Sequence, residues 1–196
     1  NAMGIDTHDA IEAASSKWNF IKLNPGLVGG HCISVDPYYL IQKAQVYGVL
    51  PRVMSSARRL NDGMGAYVAD QTIKCMNKKG AIVKDANILI MGVTFKENCP
   101  DVRNTKVVDI HQTLLEYTNN ITIYDPWANK EIVKHEYDVE CTADWYSVSQ
   151  KKYDAIILAV AHKQFAGIDF RSMLTANGVV YDVKGVLPRE QVDARL

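Results

Sequence analysis

Beyond residue 85 the chain alternates short apolar runs with amphipathic stretches. NILIMGV (87–93) is rich in Ile and bounded by polar residues, which predicts a buried strand. KVVDIHQTLLEY (106–117) has helical periodicity, and NITIYDP (120–126) predicts a second strand stopped by Asp-Pro. YDAIILAV (153–160) and GVVYDV (178–183) predict further buried strands, with helices near 128–135 and 169–175. Strands alternating with helices predict a parallel α/β sheet with right-handed crossovers.

Upstream the texture is helical. THDAIEAASS (7–16) predicts a short helix opening at Thr7 or Asp9, and residues 17–31 have three glycines and no periodicity, so they read as a loop. Asp36-Pro37 supplies a cap and a proline suited to a first helical turn, predicting a helix through YYLIQKAQVYG to Gly48. Pro51 opens a longer helix toward Lys79, whose middle is weakened by Gly63 and Gly65, about 1 kcal/mol each. Gly80 after Lys78-Lys79 is a stop signal. The expected division is therefore a helical part, residues 1–80, and an α/β domain, residues 81–196.

Composition narrows the function classes. The chain is 47% hydrophobic and 22% charged, a globular balance. Lys plus Arg equals Asp plus Glu at 22 each, so no global field draws it to nucleic acid or to an acidic membrane. Neither a membrane-spanning run nor a secretory pattern is visible, which predicts a cytoplasmic location. The opening Asn1-Ala2-Met3 reads as a cloning scar. The four cysteines, at 32, 75, 99 and 141, form no C-x-x-C pair, so reduced thiols and no metal site are expected.

An α/β sheet invites a search for G-x-G-x-x-G after its first strand, and that fingerprint is absent. The loop after NILIMGV offers instead Lys96 and, seven residues on, Arg103, a point charge and a fork for phosphate. The same residues also fit a solvated charged loop. The other cluster is NPGLVGGHCISVD (24–36). Paired glycines let a backbone turn tightly, and Cys32 lies just ahead of a helix start, where a thiolate is favoured. Asp36 either caps that helix or orients a water or a lysine near the thiol. His31 reads as structural, because adjacent side chains seldom face each other productively.

PGLVGGHCISVDPYYL (25–40) resembles the active-site signature of the UDP-glucose/GDP-mannose dehydrogenase family, a glycine-rich turn, Gly-Gly-x-Cys, then Asp four residues later. IMGVTFKENCPDVRNTK (90–106) resembles its second signature, and RRLNDGM (58–64) and VVYDVKG (179–185) fit as well. Val35-Asp36-Pro37-Tyr38-Tyr39 looks most like the branch oxidising UDP-N-acetylhexosamines for bacterial surface polysaccharides.

The resemblance implies a partial central, dimerising helical region followed by a Rossmann-like UDP-sugar-binding domain. It implies Cys32 as covalent nucleophile and Asp36 as the carboxylate supporting proton transfer and water activation. It places Gly29 and Gly30 in the loop closing over the UDP-sugar, Lys96 as a UDP-sugar ligand and Arg103 on the dinucleotide side. Lys184 stands where many members carry an Arg contacting the nucleotide sugar, and residues 16–24 correspond to a substrate-contacting stretch. The implied cofactor is NAD, bound mainly by an N-terminal domain upstream of residue 1, so the chain reads as a fragment expected to be inactive alone. The implied partners are a UDP-sugar and a second copy of the chain, with no nucleic acid or membrane. The competing expectation is a non-catalytic nucleotide-sugar binding or regulatory module.

Overall fold

The computed structural model describes residues 1–196. Five parallel strands form one sheet in the order β2-β1-β3-β4-β5: β1 Ile88–Met91, β2 Ile121–Tyr124, β3 Tyr153–Leu158, β4 Leu174–Asp182 and β5 Ala194–Arg195. Pairing sets Ile88 opposite Ile121 on one side and Ala155 on the other. β1 is apolar at every position because both faces of the sheet are covered. Ile88 and Ile90 point into one buried cluster, Leu89 and Met91 into the other, as the two-residue period of a strand requires.

The first cluster is roofed by α4 (Met64–Lys79), α5 (Val107–Leu114) and α6 (Lys130–Tyr137), through residues such as Val68, Met76, Ile110, Leu114 and Val133. The second is closed by α7 (Trp145–Ser149) and by two short 3-10 segments, which bring in Val148, Phe165, Phe170 and Met173. The chain leaves β1 toward β2 on one side, and β3 lies on the other. The topological switch point, where open α/β sheets bind ligands, is therefore between β1 and β3 at their carboxyl ends.

The helical part comprises α1 (Thr7–Ser15), α2 (Asp36–Val46), α3 (Arg52–Asp62) and α4. Asp6 caps α1 by accepting from the backbone N–H of His8, and its carboxylate takes a two-pronged bond from Arg195 at 2.8 Å on each prong. That pair holds the Asp6 carboxyl down at about 2 and pins the N-terminus to β5.

Three expectations need correcting. The single helix from Pro51 to Lys79 is two helices, because the chain turns at Gly63, which ends α3 and precedes α4. Gly65 then lets α4 press on α5: a Cβ there would lie 2.4 Å from the Cβ of Asp109. The helix expected at 169–175 is one 3-10 turn, Phe170–Met173, and β4 begins at Leu174 rather than 178. Asp36 is not a cap: Val35 holds that position, and no side chain caps α2. Residue 80 separates helical from α/β texture, yet Val68, Ala69, Ile73 and Met76 of α4 share a core cluster with the sheet. Gly80 does end α4 in the left-handed conformation its sequence context predicts.

Candidate functional site

Residues 17–35 contain no helix or strand, so their backbone groups must find partners elsewhere. The glycine loop finds them on two sides. The Val28 N–H donates to Asn61 Oδ1 at 3.2 Å, and Asn61 Nδ2 donates back to the Val28 carbonyl at 2.9 Å. On the opposite side the Gly30 N–H donates to the Arg103 carbonyl at 3.0 Å, and Asn104 Nδ2 donates to the Gly30 carbonyl at 3.0 Å. Gly29 has to be glycine here, since a Cβ would sit 2.5 Å from the Asn104 carbonyl oxygen.

Cys32 follows directly and is exposed. Its carbonyl accepts from the N–H groups of Val35 and Asp36 at 2.9 and 2.8 Å, a tight turn that feeds α2. Arg58 Nη1 donates to the Ile33 carbonyl at 2.8 Å and ties this turn to α3. Within the turn His31 Nδ1 lies 3.3 Å from Cys32 Sγ. The backbone curls rather than extends here, which brings these neighbouring side chains within reach of each other. Asp36 is exposed at the first residue of α2.

The other cysteines are half-buried. Burial pushes the Cys75 thiol up, and the Cys141 thiol up to about 11, which leaves little thiolate on either.

The loop after β1, residues 92–106, supplies the cations. Lys96 and Lys184 line one small crevice of about 10 Å³ together with Leu27 of the glycine loop, Phe95 and Glu97. Lys184 Nζ is 2.7 Å from Glu97 Oε1 and 3.8 Å from where a Gly26 Cβ would be. Burial raises the Glu97 carboxyl, but the Lys184 bond outweighs it and the net shift is downward. Arg103 is separate: its guanidinium is exposed and forks onto Asp101, which holds it above its ordinary value. The structure thus gathers Gly29 and Gly30 against the Arg103–Asn104 backbone, with Cys32 two residues further on, and puts Lys96 with Lys184 next door.

A buried network below the loop fixes its path. Asp125, at the end of β2, accepts from the N–H groups of Val93 at 2.7 Å and Thr94 at 3.1 Å on Oδ2. Its Oδ1 accepts from Trp127 and Ala128 at 2.7 and 3.0 Å. His162 Nδ1 accepts the Asn98 N–H at 2.9 Å, so the ring proton is on Nε2, pointed at Asp125 Oδ2 3.1 Å away. Sequence reading did not find Asn61, Asn104, Asp125 or His162. The only cues were the Asp-Pro that ends the second strand and a lone His just past the third.

The residues present do not form a dinucleotide cradle. Residues 92–106 hold one glycine, Gly92 (φ +91°), and its open face is filled: a Cβ there would be 2.5 Å from the Cβ of Val160. The helix N-terminus at Val107 is reached only after that long polar loop, so a pyrophosphate has no glycine-lined approach to it. No helix is long and apolar enough to cross a membrane.

Residues 89–189 match the UDP binding domain of the UDP-glucose/GDP-mannose dehydrogenase family, and residues 1–63 match that family's central domain. Over 199 aligned residues the chain is 50% identical to the UDP-N-acetyl-D-glucosamine 6-dehydrogenase of Pseudomonas aeruginosa, covering 100% of this chain and 46% of that protein. It is 40% identical to Protein CapL of Staphylococcus aureus, over 97% of this chain and 45% of the relative. The chain spans about half the length of the curated relatives it matches. The UDP-D-ManNAc dehydrogenase structure from Pyrococcus horikoshii superposes with a TM-score of 0.81 at 23% identity, over 99% of this chain and 44% of that one, a likeness of fold.

Proposed function

The chain belongs to the UDP-glucose/GDP-mannose dehydrogenase family, and from that premise we propose that it is the C-terminal part of a UDP-N-acetylhexosamine 6-dehydrogenase. The observation that carries this reading is the pair of hydrogen bonds between Gly30 and Arg103–Asn104. They seat an exposed thiol beside a loop whose cations suit a diphosphate. A protein that only binds nucleotide sugars has no use for that thiol.

In this reading residues 1–80 belong to the central helical domain and residues 81–196 bind UDP. Lys96 and Lys184 hold the nucleotide sugar, Gly29 and Gly30 close over it, and Arg103 faces the dinucleotide side. NAD, held by the remainder of the enzyme, supplies the acceptor for the two hydrides that leave C6. Cys32 acts between them. Its thiol adds to the C6 aldehyde, forming the S–C bond while the carbonyl oxygen gains the proton that the thiol gives up. Loss of the second hydride to the acceptor and of that hydroxyl proton then leaves the carbon on sulfur as a thioester. Water adds to that thioester, the S–C bond breaks, and the uronic acid leaves with the thiol restored. Asp36 supports the water and the proton transfers. The product feeds surface polysaccharide synthesis in the cytoplasm.

The test is to assay the full-length enzyme against a panel of UDP-sugars, with the 196-residue chain alone as the second sample. The full-length enzyme is expected to reduce two NAD per UDP-N-acetylhexosamine, and the chain alone none. Turnover by the chain alone would overturn the division of labour. Binding without any reduction by the full-length protein would favour the non-catalytic module.

We also infer that the helical part pairs with a second copy. Tyr47, Leu50, Val53 and Leu60 of α2, α3 and the link between them are 66–85% exposed, more large apolar surface than two adjacent helices normally leave to water. Sedimentation at increasing concentration is expected to give a dimer. A strictly monomeric species at high concentration would remove this part of the reading.

A further inference from the structure

α3 buries a single residue along its length, and that residue is polar: Asn61, 7% exposed. An amphipathic helix would normally bury a Leu or Val there. Asn61 instead uses its amide oxygen and its amide nitrogen on the N–H and the carbonyl of one loop residue, Val28. That two-bond exchange has the form of a hydrogen-bonded pair between antiparallel strands, with a side-chain amide standing in for the second strand.

Asn104 mirrors it across the loop. Its backbone is left-handed (φ +51°), a conformation Asn tolerates better than other side chains. That twist brings its carbonyl oxygen against Gly29, where no Cβ fits, while its amide nitrogen donates to Gly30. Gly30 returns a bond to the adjoining Arg103 carbonyl. The loop is thus gripped at Val28 by one asparagine and at Gly30 by the other, and only His31 separates the second grip from Cys32. No other hydrogen bond reaches the backbone of residues 27–30.

We propose that Asn61 and Asn104 are positioning residues, a pair of amide grips that fix the glycine loop and so aim the Cys32 thiol at the substrate carbon. This rests on Cys32 being the nucleophile of the reaction described above. Each acts through the loop backbone, to which its side-chain amide is bonded.

The decisive variant is Asn104→Gly, because glycine keeps the left-handed backbone and loses only the amide. Asn104→Asp retains size and backbone tolerance but turns a carboxylate oxygen on the Gly30 carbonyl, and Asn61→Leu removes both bonds to Val28. In the 196-residue chain, amide exchange is expected to quicken at least about tenfold at Gly30 in Asn104→Gly and at Val28 in Asn61→Leu, while the sheet amides keep their protection. In the full-length enzyme, uronic acid formation is expected to fall about a hundredfold, the scale on which small misplacements of a reacting group act. KM for the UDP-sugar should rise far less than the rate falls, because Gly29 and Gly30 are one part of the sugar's contacts whereas the thiol's aim decides the chemical step. Aldehyde that the displaced thiol no longer captures should appear when hydroxylamine is added as a trap.

A merely structural role would lower the folded fraction and the rate together, with no trapped aldehyde, and that result overturns the proposal. So does wild-type uronic acid formation in Asn104→Gly and Asn61→Leu, or unchanged exchange at Gly30 and Val28. If instead the wild-type full-length enzyme makes no uronic acid, the dehydrogenase reading fails, and the proposal that rests on it falls with it. The exchange arm is then what separates the two failures, because it reports the grips without any turnover.

Discussion

In the full-length enzyme, Cys32→Ala is expected to lower uronic acid formation by more than about 10³-fold, roughly 4 kcal/mol of transition-state stabilisation. UDP-sugar affinity, measured by calorimetry, should stay within about threefold, since the thiol contacts only the reacting carbon. The expectation follows from what surrounds Cys32, Cys75 and Cys141. Cys32 is exposed in a turn held by bonds from the Val35 and Asp36 N–H groups, with the ring of His31 3.3 Å from its sulfur. Cys75 packs within α4 against the core, and Cys141 is driven up to about 11 by burial. Neither offers a thiolate to a substrate. Cys32→Ser should bind the sugar and still fail at the second oxidation, because the alcohol is a weaker nucleophile and its ester is discharged slowly. A slowly released adduct, seen as a mass increase on residue 32, is the expected by-product. Uronic acid at a rate within a few-fold of wild type from Cys32→Ala would make the residue structural and end the mechanism.

The sheet was legible because a two-sided strand leaves a plain mark. Each of β1, β2 and β3 is a short apolar run closed by a turn signal, and each turned up within a residue or two of its expected place. What the sequence hid were features decided by packing. Gly63 and Gly65 read as weak points in one helix. That one ends α3 and the other admits α5 depends on α4 turning onto the sheet, which no local pattern encodes. The turn at Phe170–Met173 has the apolar spacing of a helix, but Phe170 and Met173 are drawn under the sheet, and the chain extends again at Leu174. α7, with five residues, and β5, with two, are too short to carry any period.

The site was legible in its charged and nucleophilic members, not in what positions them. Lys96, Arg103, Cys32 and the paired glycines stand out because their chemistry is unusual for a loop. The structure separates two of them: Lys96 joins Lys184, 88 positions along the chain, while Arg103 is held off on Asp101. Asn61 falls inside what the sequence predicts as one helix from Pro51 to Lys79, and Asn104 in the polar loop ahead of KVVDIHQTLLEY. Their partners are 33 and 74 positions away, and that separation is what conceals them.

The largest stability effect is expected at Asp125, which is fully buried beneath the loop that carries Lys96 and Arg103. It accepts four backbone N–H bonds, from Val93, Thr94, Trp127 and Ala128, and a fifth bond from His162. Asp125→Ala removes every one of these acceptors and leaves the Val93, Thr94 and His162 donors buried without a partner, a loss of about 3–5 kcal/mol on the scale of broken buried pairs. Asp125→Asn keeps one oxygen but turns an N–H₂ toward donors, so it should recover only part of that loss. The pH dependence has a definite sign. Burial pushes the Asp125 carboxyl up, but the His162 and backbone bonds outweigh it and hold it below the usual carboxylate value. A depressed carboxyl contributes stability above its unfolded pKa, near about 3.9, and loses it as pH falls through the lower folded value. Urea unfolding should therefore show the gap between wild type and Asp125→Asn widest at pH 7 and narrowing below about pH 4. A gap under about 1 kcal/mol at pH 7 would mean that the donors find other partners and that Asp125 does not organise the loop above it.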